Sequence, residues 1–255
     1  MNNKQNSFAS KLRSISSVLL FIALWEFSVR FGWMPGKVFI PPFSEVITEI
    51  WEMLFDDLLI DSYKSSLARV IMGFLLGSTS GIALGVWMGW NQKAYDWFKP
   101  IISILYPIPA LGWLPLLMLL IGINEILPVV IIFICSFFPI VYNTVKGIKE
   151  VKPEFINAAR LLGASNFVIL KKVVIPQALP YIFIGLKLES GAAWRTVVAA
   201  EMIAIPTGIG ALMMRAENLM RIDIILVSLI ILSVMCLIFE NFFSYLEHKM
   251  TGKWN

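Results

Sequence analysis

The sequence predicts an all-α integral membrane protein with about six transmembrane helices, and three observations carry that prediction. Hydrophobic residues make up 58% of the 255-residue chain and charged residues 15%, with a mean hydropathy of +0.78. Soluble domains hold about half apolar and roughly a quarter charged residues. Several apolar runs approach or exceed the ~20 residues needed to cross a bilayer. The charges gather between those runs, so the net charge of +4 and the pI near 9.0 read as membrane orientation and not as nucleic-acid binding.

The first span, 14–31, follows Lys4, Lys11 and Arg13. This beginning resembles a signal peptide, but no small-x-small cleavage pattern follows, so the span is expected to be retained. In the segment 32–64, Ile47, Ile50, Trp51 and Leu54 recur at helical spacing opposite Glu45, Glu49 and Glu52. That pattern predicts a short helix on the outer membrane surface, with Ser44 as N-cap after Pro41 and Pro42. The second span, 67–90, carries Gly73, Gly77, Gly81, Gly85 and Gly89, one every four residues. Glycines at that spacing form a narrow stripe where another helix backbone can approach closely. The third, 101–123, is interrupted by Pro107, Pro109 and Pro115. It is either the lining of a water-filled cavity or a kinked structural helix, and both readings remain open.

The fourth, fifth and sixth spans are 126–143, 181–205 and 222–245. The fifth is broken by Lys187, Glu189, Arg195 and Glu201. Lys187 and Glu201 lie near enough to its ends to reach the interfaces. Arg195 does not, which leaves a buried ion pair or carbonyl clamp on one side and a charge facing an aqueous path on the other. Cys135 and Cys236 fall inside apolar runs and read as packing residues, with no disulfide or metal site implied.

Lys and Arg in the connections set the orientation. One side collects Lys4, Lys11 and Arg13, then Lys93 and Lys99, then Lys146, Lys149, Lys152, Arg160, Lys171 and Lys172, and last Lys249 and Lys253. The other side receives Lys37 and Lys64 against Glu45, Glu49, Glu52, Asp56, Asp57 and Asp61. Both termini and the loop 146–180 are therefore expected in the cytoplasm. The chain divides into a tail, first span and outer segment (1–65), a core of five spans (66–246), and a cytoplasmic tail (247–255).

The 146–180 loop, KGIKEVKPEFINAARLLGASNFVILKKVVIPQALP, is a cationic, partly amphipathic island between two long apolar runs. A helix through its centre would place Phe155, Ala158, Ala159 and Leu162 on one side, with Lys152 and Arg160 at the edges. By periodicity it is either a protein-docking surface or a helix resting on lipid headgroups.

Several chemistries have no representative. There is no G-x-x-x-x-G-K-[ST] phosphate loop, and Gly208 and Gly210 are too sparse for a nucleotide motif. The one histidine, His248, lies in the C-terminal tail, so neither an imidazole-based catalytic site nor a zinc site is expected in the membrane. No catalytic residues, metal site or cofactor are assigned.

Asn157-Ala158-Ala159, three residues, Gly163, nine residues and Val173-x-Ile175-Pro176 resemble the EAA motif of bacterial ABC importer permeases, with matching spacing. IPPFSEV, SLARVIMGF, YPIPALGWLPL, FFPIVYNTVKGI and AAWRTVVAAEM resemble the nitrate/sulfonate/taurine branch, and the likeness covers about residues 40–245. One departure is Asn157, where the family has Glu, so any ion pair made by that acid is absent or supplied by Glu154.

The resemblance implies a type I ABC importer-like core and a cytoplasmic coupling loop, carried over onto Glu154, Asn157, Ala158, Ala159, Arg160, Gly163, Ile175 and Pro176. It implies two ATP-binding cassette subunits, a second permease chain forming a homodimer, an extracytoplasmic substrate-binding protein, and a prokaryotic inner membrane. The imported solute would be a small organic or inorganic anion such as a sulfonate, taurine or nitrate, or else a vitamin precursor. Tyr106, Arg195 and Glu201 are candidates for the pathway. The rival classes are an ion-coupled carrier using Glu189 or Glu201, and a membrane-embedded enzyme.

Overall fold

The computed structural model describes residues 2–32, 40–55 and 57–251, with side chains placed from residue 16 onward. The charges expected to flank the first span (Lys4, Lys11 and Arg13), together with Lys37, Asp56 and Lys253, lie outside the described side chains. The described elements are helical throughout: α1 (Asn2–Arg30), α2 (Phe43–Phe55), α3 (Leu58–Trp90), α4 (Gln92–Leu105), a 3-10 turn (Ala110–Trp113), α5 (Leu114–Ile121), α6 (Ile126–Lys149), α7 (Pro153–Leu161), α8 (Asn166–Ile169), a π-turn (Leu170–Val174), α9 (Ile175–Ala204), α10 (Ile209–Asn218) and α11 (Ile222–Thr251).

Among the described residues four helical stretches are long and apolar enough to cross a membrane: α3, α6, the run Asn166–Ala204, and α11. The bent pair α4 and Ala110–Ile121 makes a fifth if it is one span. The third expected span is therefore not a kinked helix. It begins at Gln92, capped by the Asn91 side chain on the amides of Lys93 and Ala94, stops at Leu105, and turns by 88°. Pro107 and Pro109 cause the break, because neither can donate a backbone N–H to continue the helix. Pro115 sits harmlessly in the first turn of α5. The other spans run longer than their apolar cores: α3 starts at Leu58 and α6 continues to Lys149. Polar residues such as Asp61 and Lys64 end an apolar run without ending a helix.

The chain separates into two compact units, residues 1–60 with 212–230, and residues 61–211 with 231–255. In the first unit Glu26 of α1 accepts bonds from the Ser44 amide at 3.1 Å and the Ser44 hydroxyl at 3.0 Å. Ser44 therefore tethers α2 to α1, and α2 begins at Phe43 instead of being capped by Ser44. Arg221 pairs with Glu49 at 2.7 Å, which brings the 212–230 segment into the same unit. Ile47, Trp51, Leu54 and Phe55 remain exposed on α2, an apolar face for a membrane surface.

The second unit is organised around α6. On one side, Gly73, Gly77, Gly81, Gly85 and Gly89 of α3 face Ile132, Ser136, Ile140, Thr144 and Ile148. Both series advance by four, so α3 and α6 run parallel in a fixed register. A Cβ at these glycines would lie 2.6–3.0 Å from α6 atoms, which is why the stripe has none. On its other side α6 meets α9 in antiparallel fashion: Gly147 lies under Tyr181, and Gly185 under Asn143. Trp194 of α9, fully buried, stacks on Tyr63 at 6.3 Å and meets the edge of Phe239 at 5.4 Å.

Candidate functional site

Three groups of residues on the second unit carry chemistry or an unpartnered surface: the loop after α6, a cavity between α6 and α9, and a buried charge cluster. In the loop, Pro153 opens α7 at its first turn. The helix ends where Gly163, at φ +80°, donates to the Arg160 carbonyl and Ala164 donates to that of Ala159. That is a Schellman cap, whose left-handed position favours glycine. Part of the Ala-Ala-x-x-x-Gly spacing is thus the geometry of a helix stop.

No residue of α7 is buried within the chain. Leu161 and Leu162 are 90% and 88% exposed, and Phe155 and Phe167 also point outward. Ala158 joins this exposed surface and Ala159 is half-buried beside the cap. Among the described residues neither Glu154 nor Arg160 has an ion-pair partner in the chain, and Asn157 is exposed between them. Ser165 caps α8, and a π-turn with Lys171 and Lys172 leads into Ile175 and Pro176 at the start of α9. These last two residues are half-buried and serve the helix start.

The cavity, about 200 Å³, is lined by Tyr106, Ile108, Cys135, Phe138, Glu189 and neighbours. Tyr106, at the α4 break, stacks on Tyr142 with ring centres 5.4 Å apart. Arg195 is exposed, and among the described residues it has no hydrogen bond or ion pair in the chain, so the buried pair or clamp open to it in sequence is absent. Lys187 pairs with Glu247 at 2.6 Å.

Glu201 does not reach an interface or an open path. It is 1% exposed, and its carboxylate takes bonds from Arg69 at 2.5 Å, from the Ser66 hydroxyl at 2.8 and 2.9 Å, and from the Gly210 amide at 3.0 Å. The same Arg69, 3% exposed, also holds Glu125 and both the carbonyl and hydroxyl of Thr207. The Arg69 guanidinium, the Ser66 hydroxyl and the Gly210 amide together satisfy Glu201, because a buried charge requires such partners. Gly208, at φ +103°, lies against that carboxylate where a Cβ would collide with it. Arg69 was not singled out in sequence; its signal was a lone cation in an apolar run, matched to the lone acid at the outer end of the fifth span.

Residues 81–252 match the family model described as the inner-membrane component of binding-protein-dependent transport systems. A putative ABC transporter permease of Methanocaldococcus jannaschii is 38% identical over 92% of this chain and 89% of its own length. The taurine transport system permease of Escherichia coli is 28% identical over 93% and 88%, and a nitrate import permease of Synechocystis is 36% identical over 72% and 66%. Among solved structures, an inward-facing methionine ABC transporter chain superposes with a TM-score of 0.66 at 19% identity, covering 78% of this chain and 98% of that one. An amino acid ABC transporter gives 0.62 at 18% identity, covering 78% and 96%. By that family match and by relatives above 30% identity over most of its length, the chain belongs to the family of ABC importer permeases that form the inner-membrane components of binding-protein-dependent transport systems.

Proposed function

We propose that two copies of this chain form the pathway by which a small solute bearing an anionic group, such as a sulfonate, taurine or nitrate, enters the cytoplasm. ATP is hydrolysed by two separate cassette subunits docked on α7, and an extracytoplasmic binding protein delivers the solute. Both termini and α7 face the cytoplasm. The chain itself is non-catalytic: it converts closure of the ATPase pair into movement of its helices. Arg195, exposed and without an ion pair among the described residues, supplies positive potential to the anionic end of the solute. The relatives named for taurine and nitrate transport support the substrate class.

The observation that carries the coupling role is α7 itself. A nine-residue helix that buries nothing in its own chain yet exposes Leu161 and Leu162 has its partner elsewhere. The double variant Leu161→Glu, Leu162→Glu is expected to insert and melt like the native chain while losing co-purification with the ATPase subunit and losing uptake. Undiminished association would remove α7 from the docking surface.

A further inference from the structure

Glu189 lies midway along α9, about 20 Å from either end at 1.5 Å per residue. A carboxylate at that depth of a bilayer is costly and faces a cation, a dipole or a water-filled cavity. Among the described residues its one hydrogen bond is from the Cys135 thiol at 3.6 Å, a weak donor, and no Lys or Arg sits at ion-pair distance. Glu201, on the same helix, shows by contrast what a fully compensated carboxylate looks like in this chain. Glu189 instead borders the 200 Å³ cavity that the α4 break, at Tyr106 and Ile108, also lines. Irregular backbone at membrane depth is tolerated where it is covered by protein or lines a cavity. An acid held only by a thiol, with Arg195 acting on it from beyond ion-pair distance, and a broken helix therefore converge on one space, and the face of an aromatic ring offers a further site for a cation. The volume lies below the ~300–1,000 Å³ of drug-sized sites and suits a solute of few heavy atoms.

We propose that this cavity binds the ammonium group of a small zwitterionic solute in transit, with Glu189 as its charge partner and Tyr106 as its aromatic wall. The proposal rests on the import reading above and narrows it: the solute is an aminated anion, whose anionic end is left to Arg195. A bare anion gains nothing from Glu189 and is repelled by it.

The test uses the complete importer, with its ATPase and binding protein, in liposomes. Uptake is compared within pairs that differ in ammonium against hydroxyl: taurine with isethionate, and β-alanine with its hydroxy analogue. The native complex is expected to prefer the ammonium member by about tenfold or more, as a charge-assisted hydrogen bond implies. Glu189→Gln is expected to shrink that ratio to about threefold or less, and Glu189→Asp, which keeps the charge, to preserve most of it. A ratio unchanged in Glu189→Gln belongs to the binding protein and overturns the proposal. So does equal or better uptake of the hydroxyl members or of nitrate, uptake of neither member of any pair, or loss of assembly in both variants, which would make Glu189 a packing group. Failure of the import reading looks different: no ATPase association and no ATP-dependent uptake of any solute.

Discussion

At the scale of single residues, the fate of each charge follows from whether its partner lies inside the chain. Arg69 and Glu201 are separated by 132 positions, yet each is almost wholly removed from solvent and each satisfies the other. Breaking such a pair from one side strands a buried charge, which costs about 3–5 kcal/mol. Arg69→Gln is therefore expected to lower the thermal stability of the purified chain sharply, and Arg69→Gln with Glu201→Gln to recover part of it, by melting in detergent. A double variant no better than the single one would mean that Arg69 acts through Glu125 and Thr207 instead. The distance in sequence is also why this cluster was not legible: Glu201 stands near a helix end, where an interfacial position suffices, and a lone cation at Arg69 does not say which distant acid it meets. Gly163 was more legible, since a glycine following a short helix is the ordinary signal of its end.

At the scale of elements, the glycine stripe was readable because its spacing places every member on one winding face of α3. What the spacing could not supply was the partner, or how tightly each glycine is held. A Cβ at Gly85 would stand 2.6 Å from the Thr144 Cβ, whereas at Gly81 the nearest atoms are a carbonyl oxygen at 3.0 Å and an Ile140 methyl at 3.2 Å. Alanine at Gly85 is therefore expected to reduce the folded yield and melting temperature clearly more than alanine at Gly81. Leucine at Gly81 should separate the helices altogether. Equal tolerance of alanine and leucine at Gly81, measured by size-exclusion yield, would contradict the zipper. Helix length was the less legible property. Apolar runs stop at the first charges, but α3 continues through Lys64 and Asp61, whose side chains lie 3.6 Å apart one turn from each other. The break after Leu105 was underestimated for a different reason. One proline bends a helix, while Pro107 and Pro109 together deprive nearly a full turn of its bonds.

At the scale of the whole molecule, composition and charge distribution carry most of the reading. An apolar, all-helical chain with its lysines gathered on one side predicts both the class of protein and its orientation. With Cys135 and Cys236 replaced by alanine, Lys249→Cys is expected to react with an impermeant maleimide only in inverted vesicles. Thr48→Cys on α2 should react only from the outside of intact cells. The opposite pattern would reverse the orientation and place α7 outside. The division into units was not legible as contiguous segments, because Arg221 joins residues 212–230 to α2 through Glu49.

The absence of any buried residue in α7 bears on how such a chain can change over time. Substitutions in most helices are screened twice, by the fold and by whatever the protein does. In α7 the first screen is nearly silent, apart from the glycine that ends the helix. On the docking proposed above, drift in this segment is filtered from outside, by the motor, so that stability and choice of motor are separately heritable. A short stretch of exposed sequence can then follow a diverging ATPase while the membrane core stays as it was.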